Sequence, residues 1–188
     1  MSYAILNRRL LLLLAVIVLL AAPAGLVAGS NSNQGQAEGY QPAGSWVWWT
    51  SFGTPGSVPA LVTYHTDGTL SGADGLMFLT PDGGKISPIH GVWERTGPKG
   101  FGGASLYMLY NPAGTLVGFA RARSALHFVD DPDHIEGVMF VDIGLPCASP
   151  PFGCPDPVSP GATWTPHPMM PPGGFPVSAT RIHRVETP

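Results

Sequence analysis

Residues 58–79 read VPALVTYHTDGTLSGADGLMFL. Two stretches rich in apolar and β-branched residues flank Asp67-Gly68 in this segment. A type I′ turn needs positive φ at both of its central residues, and Asp-Gly is one of the pairs that supplies it. The segment therefore predicts a β-hairpin. Within its first strand Val62 and Tyr64 alternate with Thr63 and His65, which is the period of a strand with one apolar face.

Turn-forming sequences recur along the rest of the chain. They are Asp82-Gly83-Gly84, Gly97-Pro98-Lys99-Gly100, Asn111-Pro112-Ala113-Gly114 and Asp131-Pro132-Asp133. These turns delimit eight predicted strands, near 45–51, 58–66, 69–79, 86–96, 102–110, 114–129, 134–143 and 177–185. Strands joined by tight turns pair antiparallel, and closure of eight of them removes the exposed sheet edges. We therefore predict an all-β fold, an eight-stranded antiparallel up-and-down barrel.

Composition excludes several classes of protein. The 188 residues include 25 Gly and 21 Pro, yet 44% of the chain is apolar and 10% aromatic, which is more buriable surface than a disordered chain carries. Turn formers are too frequent for an all-helical fold. The net charge is −3 and no cluster of Lys or Arg occurs, so we expect no binding to nucleic acid.

The N-terminal region has the order of an export signal. Arg8 and Arg9 precede an apolar run over 10–22, which is followed by Pro23 and small residues. We predict a signal peptide over 1–28, a flexible spacer over 29–43 and a barrel domain over 44–188. The protein is then secreted or extracytoplasmic, with no integral membrane domain. The alternative is an uncleaved signal that tethers the protein to the membrane.

The start of the first strand and the last strand carry a family resemblance. Gly44-Ser45-Trp46 resembles the G-x-W signature of lipocalins and related calycin barrels, and Arg181 resembles the Arg that stacks on that Trp. ALVTYHTDGT, HGVWERTG and GFARAR are similar to segments of small secreted bacterial lipocalin-like proteins. The resemblance covers about residues 44–143 and 177–185. It implies a contact between Arg181 and Trp46 that closes the barrel where its first and last strands meet.

A proline-rich segment interrupts the strand pattern before the last strand. Residues 144–176 contain 11 of the 21 prolines and both cysteines. Proline lacks the backbone donor of a sheet ladder, so we predict a long loop that covers one end of the barrel. Cys147 and Cys154 are predicted to form a disulfide, as expected in an oxidising compartment. A redox-active or metal-binding pair is the alternative, although the C-x-x-C spacing is absent.

Candidate binding residues lie in the aromatic strands. We predict that Tyr64, Trp93, Tyr107 and Phe119 line a cavity for a small hydrophobic ligand. The polar end of this ligand would contact His65, His90, Arg121 or Arg123. The leading hypothesis is therefore an exported, monomeric barrel that binds a small hydrophobic molecule without a cofactor or metal. The same side chains would instead fill the interior if the barrel is packed, because eight strands enclose either a packed core or one small ligand.

Two other functions stay open. One is a cofactor-independent enzyme of the isomerase or cyclase type, in which His90 or His65 acts as general acid or base and Arg121 or Arg123 stabilises negative charge. The other is a surface-displayed structural or adhesive module. For that module Trp49 is the candidate, because it points away from the face of Trp46 and Trp48. We expect Trp49 to be covered by the spacer or by the proline-rich loop.

Overall fold

The computed structural model describes residues 39–51, 57–75, 83–144 and 146–183. The predicted signal peptide and residues 29–38 of the predicted spacer lie outside this part of the chain. All described residues belong to one compact unit. No helix among them is long and apolar enough to cross a membrane.

The described part of the chain forms ten strands. They are β1 (Gly44–Thr50), β2 (Val58–Tyr64), β3 (Thr69–Asp74), β4 (Lys85–Ile86), β5 (Ile89–Arg95), β6 (Gly100–Tyr110), β7 (Leu116–Phe128), β8 (His134–Gly144), β9 (Trp164–Pro166) and β10 (Phe175–Arg181). The Asp67-Gly68 turn joins β2 to β3 as predicted, and Gly68 has a φ of 86°. The predicted type I′ geometry was wrong, because Asp67 does not have a positive φ.

Eight of these strands form a closed antiparallel barrel. The ring runs β1-β2-β3-β5-β6-β7-β8-β10, and β10 pairs with both β8 and β1. This confirms the predicted fold. Two short strands lie outside the ring, β4 against β6 and β9 against β8. Pro88 separates β4 from β5, since proline has no backbone N–H to donate to the ladder.

Large aromatic side chains fill one end of the barrel. Trp46, Tyr64, Phe101 and Phe128 are almost fully buried and contact one another at edge or tilted angles. Such pairs contribute about 0.5–1.5 kcal/mol each beyond the area they bury. We call this the closed end. At the other end, β1 finishes at Thr50 and β3 at Asp74, and β10 begins at the buried Phe175.

The segment before β1 plugs the closed end. Pro42 is buried, and its carbonyl accepts a 2.8 Å hydrogen bond from Trp46 Nε1. The Tyr40 ring contacts Phe128, and the Tyr40 carbonyl accepts a hydrogen bond from Arg95 Nη2. Residues 40–43 are therefore part of the barrel domain. Our prediction that a flexible spacer extends to residue 43 was wrong at its end, because these residues cover aromatic side chains that would otherwise face water.

The proline-rich segment packs along the outside of the barrel. Cys147 and Cys154 form the predicted disulfide, and the Cys147 N–H donates to the carbonyl of Val117 in β7. Farther along, β9 pairs with residues 142–144 of β8. We had predicted a long loop here, because prolines cannot join a ladder in the middle of a sheet. A strand of three residues is tolerated here because it lies at a sheet edge and Pro166 is its last residue.

Candidate ligand site in the barrel interior

A small cavity lies inside the barrel, between the aromatic layer of the closed end and the opposite end. Its volume is about 30 Å³, measured as the space open to the centre of a water molecule. The apolar wall includes Trp48, Val62, Leu70, Ile89, Ala122 and Met139. The polar side chains are Thr50, Tyr64, Asp74, Ser105, Tyr107 and Ser124. A cavity of this size holds one or two groups as large as water.

Two buried polar side-chain atoms have no hydrogen-bond partner in the described part of the chain. They are Trp48 Nε1 and the Tyr64 hydroxyl, and both residues line the cavity. Their rings lie 6.3 Å apart between centroids. An unpaired buried donor costs about 1–3 kcal/mol, so native proteins seldom keep one without a use. The wall of the cavity therefore combines apolar side chains with hydrogen-bonding ones.

The electrostatic character of the cavity is neutral to negative. Among the described residues that line it, Asp74 is the one with a charged side chain. Burial raises the pKa of Tyr107 well above the usual tyrosine range, and the nearby negative charge of Asp74 raises it further. Burial also raises the pKa of Tyr64. Both tyrosines are therefore uncharged hydrogen-bonding groups at neutral pH.

Two of the four predicted binding residues line the cavity and two do not. Tyr64 and Tyr107 line the cavity. Trp93 packs against the rings of Tyr64 and Phe101 and donates from Nε1 to the His65 carbonyl, so it supports the wall without reaching the cavity. Phe119 lies outside the barrel, in a small surface depression beside Trp164. The structure therefore does not bring Phe119 together with the other three.

Arg121 and Arg123 also lie outside the barrel, which corrects our expectation that they meet a ligand inside it. Both donate to Oδ2 of Asp142, at 2.9–3.2 Å, and Asp142 is only 4% exposed. The Arg121 guanidinium lies over the ring of Trp164, 4.6 Å from its centroid. The two arginines therefore form an ion-pair cluster beneath the proline-rich segment, on the outer face of β7 and β8.

His65 and His90 face solvent. His65 is exposed, and its Nε2 lies 3.1 Å from Ser71 Oγ. His90 is exposed beside the buried Ile89, on the outward face of β5. Neither imidazole lines the interior cavity, so the structure does not assemble these histidines with Tyr64 or Tyr107.

Gly44, Trp46 and Arg181 meet where the first and last strands pair. The Arg181 guanidinium lies 4.2 Å from the centroid of the Trp46 ring. It donates to Asp133 Oδ1 and to the carbonyls of Gln41, Ala43 and Pro132. A Cβ at Gly44, whose φ is 129°, would lie 2.8 Å from Arg181 Nη1. Glycine is therefore required both by the backbone conformation and by the close approach of the guanidinium.

Most residues that line the cavity were not predicted from the sequence, and Trp48, Asp74 and Ser105 are three examples. Trp48 shares the face of Trp46, and this signal was visible in the alternation of β1. Asp74 shares the parity of Leu70 in β3, so its inward direction was also available from the pattern. Ser105 lies two residues before Tyr107 in β6, so alternation also placed it on the face of a predicted cavity residue.

The predicted absence of a metal stays a prediction. In the described ranges, no three His, Cys, Asp or Glu side chains lie close enough together to hold a metal ion. In the proline-rich segment, the His167 ring packs against Phe175 and Met170 Sδ accepts from the Val141 N–H.

No family model, curated protein or solved structure matches the chain.

Proposed function

We propose that this protein is an extracytoplasmic binding protein that takes the end of a small, mainly apolar molecule into its barrel. The observation that carries the proposal is a cavity inside the barrel whose wall joins apolar side chains, such as those of Val62 and Met139, to a few polar ones, such as those of Tyr107 and Ser105. Apolar walls with a few convergent polar groups are typical of small-molecule sites.

Three further features support this assignment. The aromatic layer and residues 40–43 close one end of the barrel, so access is confined to the other end. The Cys147–Cys154 disulfide is compatible with an oxidising compartment. The contact of Arg181 with Trp46 is the one that the resemblance to lipocalin-like barrels implies.

The size of the cavity limits the ligand. Drug-sized ligands occupy sites of about 300–1,000 Å³, whereas the space here fits only one or two water-sized groups. The interior therefore accepts the leading end of the ligand. The remaining apolar part lies toward the end of the barrel where β1 and β3 finish.

Fluorescence titration with N-phenyl-1-naphthylamine, an uncharged apolar probe, tests the proposal. We expect saturable binding to the wild-type protein. Ala122 lies in the cavity wall, so Ala122→Leu fills the cavity and should weaken binding at least tenfold. Ala125→Leu adds the same volume to an exposed position on the same strand and should leave binding unchanged. Native mass spectrometry of protein purified from its own host should detect a carried molecule.

The absence of both a carried molecule and saturable probe binding would refute this function. Equal loss of binding in Ala122→Leu and Ala125→Leu would place the probe elsewhere than the interior.

A surface-displayed adhesive module is the second candidate, because the outer face of β1 and β2 exposes apolar side chains. Trp49 is 45% exposed and Leu61 is 56% exposed. Our expectation that Trp49 is covered was therefore wrong. Retention on an insoluble polysaccharide that is lost in Trp49→Ser, but kept in Leu61→Ser, would support an aromatic platform for sugar. The enzyme hypothesis gains no such support, since its histidines face solvent.

A further inference from the structure

We propose that the outer face of the barrel at Trp49 binds an uncharged oligosaccharide. The inference rests on the second candidate function, the adhesive module, and names its site and the chemistry of its ligand. It makes no use of the interior cavity. Its first support is an open depression of about 470 Å³ on the outside of β1, β7, β8 and β10. This volume lies within the range of small-molecule sites, about 300–1,000 Å³.

Four outward-facing side chains cross the depression in one row. They lie opposite one another on adjacent strands, in the order Trp49, Ser178, Glu136 and His127. All four residues are exposed. Neighbouring strands are about 4.7–4.9 Å apart, so the row is about 14 Å long between its first and last Cα atoms. Two or three linked sugar rings have this length.

The row combines an apolar surface with hydrogen-bonding groups. Trp49 is 45% exposed and offers its aromatic ring to a ligand. The side chains of Glu136 and His127 make no hydrogen bond or ion pair within the described part of the chain. A carboxylate accepts hydrogen bonds, a serine hydroxyl both donates and accepts, and a neutral imidazole has one donor and one acceptor. A sugar is complementary to this row, because its C–H groups form apolar faces and its hydroxyls donate and accept.

The charge of the depression does not favour an ionic ligand. Among the described residues that line it there is no Lys or Arg, and Glu136 would repel an anion. Glu136 would attract a cation, but sites for quaternary ammonium groups surround the cation with aromatic rings. Trp49 is the one Trp, Tyr or Phe in the described lining. An uncharged ligand therefore fits this surface better than an ion of either sign.

The backbone at this face is not open to a peptide strand. Within the barrel, β1, β8 and β10 each pair with a neighbour on both sides. A peptide that extends a sheet needs an exposed edge with unused backbone donors and acceptors. Binding at the depression must therefore use the side chains of the row.

Calorimetric titration with hexasaccharides tests the inference. The uncharged probes are cellohexaose, maltohexaose and the hexamer of N-acetylglucosamine. The charged comparisons, at pH 6, are the hexamers of glucosamine, a cation, and of galacturonic acid, an anion. We expect saturable binding of at least one uncharged probe, at least tenfold tighter than that of either charged hexamer.

Three substitutions test whether the sugar lies along the row. Trp49→Ala removes the aromatic surface and should weaken the uncharged probe at least tenfold. Glu136→Gln and His127→Ala remove hydrogen-bonding groups and should each weaken it about fivefold. All three positions are exposed, so we expect the variants to keep the circular dichroism of the wild type.

Three control variants change exposed side chains outside the depression. Leu61→Ala removes an apolar side chain from β2, and Glu94→Gln and His90→Ala repeat the polar changes on β5. These variants should bind the uncharged probe as the wild type does. Trp49→Ala should also leave the binding of N-phenyl-1-naphthylamine unchanged, because Trp49 does not line the interior cavity.

The outcomes separate this inference from the functions proposed above. The inference is overturned if no uncharged hexasaccharide binds, if a charged one binds as tightly, or if Trp49→Ala binds like the wild type. If retention on an insoluble polysaccharide requires Trp49 but not Glu136 or His127, the adhesive function stands and this inference alone fails. If no polysaccharide retains the protein either, both fail, and binding of N-phenyl-1-naphthylamine still decides the interior site.

Discussion

At the scale of single residues, Arg181 makes the densest set of contacts at the closed end. All three guanidinium nitrogens donate, to one carboxylate and three backbone carbonyls, while the plane stacks on Trp46. Lysine offers a point charge without the planar fork. We predict that Arg181→Lys lowers the free energy of unfolding by about 2 kcal/mol, measured by urea denaturation followed by tryptophan fluorescence.

The matched control for this change is Arg123→Lys. The Arg123 side chain is 50% exposed and pairs with Asp142, a carboxylate that also keeps Arg121. Lysine keeps the positive charge at this half-exposed position, and the buried Asp142 keeps its pair with Arg121, so we expect a loss below about 1 kcal/mol. Equal losses of unfolding free energy in Arg181→Lys and Arg123→Lys would show that the contacts of Arg181 stabilise the fold no more than those of Arg123.

The contacts of Trp46 could be predicted from sequence, whereas the faces of β7 could not. Alternation places Phe119, Arg121 and Arg123 on one face of β7 and Ala120 and Ala122 on the other. We took the face with Phe119 as the interior. The barrel instead turns the small residues inward, where they make room for large aromatic side chains from other strands. The outer face is covered by Trp164 and Asp142, which are distant in sequence and leave no signal in the pattern of β7.

At the scale of elements, the pairing of β5 with its neighbour depends on a glycine. A Cβ at Gly91 would lie 2.2 Å from the carbonyl oxygen of Ala104 and 2.7 Å from Ser105 Cα. Both are backbone atoms, so β5 and β6 would have to separate. We predict that Gly91→Ala lowers the free energy of unfolding by at least about 3 kcal/mol, measured by urea denaturation.

Gly97→Ala is the control for this prediction. A Cβ at Gly97 would meet no atom within 4 Å. The substitution should therefore stay within about 0.5 kcal/mol of the wild type. A Gly91→Ala protein as stable as Gly97→Ala would mean that β5 and β6 are not as close in solution as described.

The sequence of the proline-rich segment predicted part of its structure but not its contacts with the barrel. Its prolines predicted a loop and its cysteines a disulfide, because both are local properties. The pairing of β9 with β8 and the stacking of Trp164 on Arg121 depend on which outer face lies beside the segment. That depends on closure of the barrel, so local sequence could not predict it.

The disulfide should stabilise this segment measurably. A ring of this size contributes about 2–3 kcal/mol in the chain-entropy model, because it limits the unfolded chain. We predict that Cys147→Ser with Cys154→Ser lowers the free energy of unfolding by about 2 kcal/mol and leaves the far-ultraviolet circular dichroism of the barrel intact. Loss of the β spectrum in the double variant would show that the barrel itself requires the bridge.

At the scale of the whole molecule, the barrel couples folding to the ionisation of its interior tyrosines. Burial raises the pKa of Tyr64 and Tyr107 above the unfolded value of 10.0. Above about pH 10 the unfolded chain therefore releases protons that the folded chain keeps. The stability from these two tyrosines is fully present below that pH and falls as the pH rises.

Absorbance at 295 nm should show late tyrosine ionisation that coincides with loss of β structure. Tyr107→Phe should reduce the fall in stability between pH 9 and pH 12. If all tyrosines ionise while the circular dichroism is still that of the native protein, burial of these two hydroxyls is contradicted.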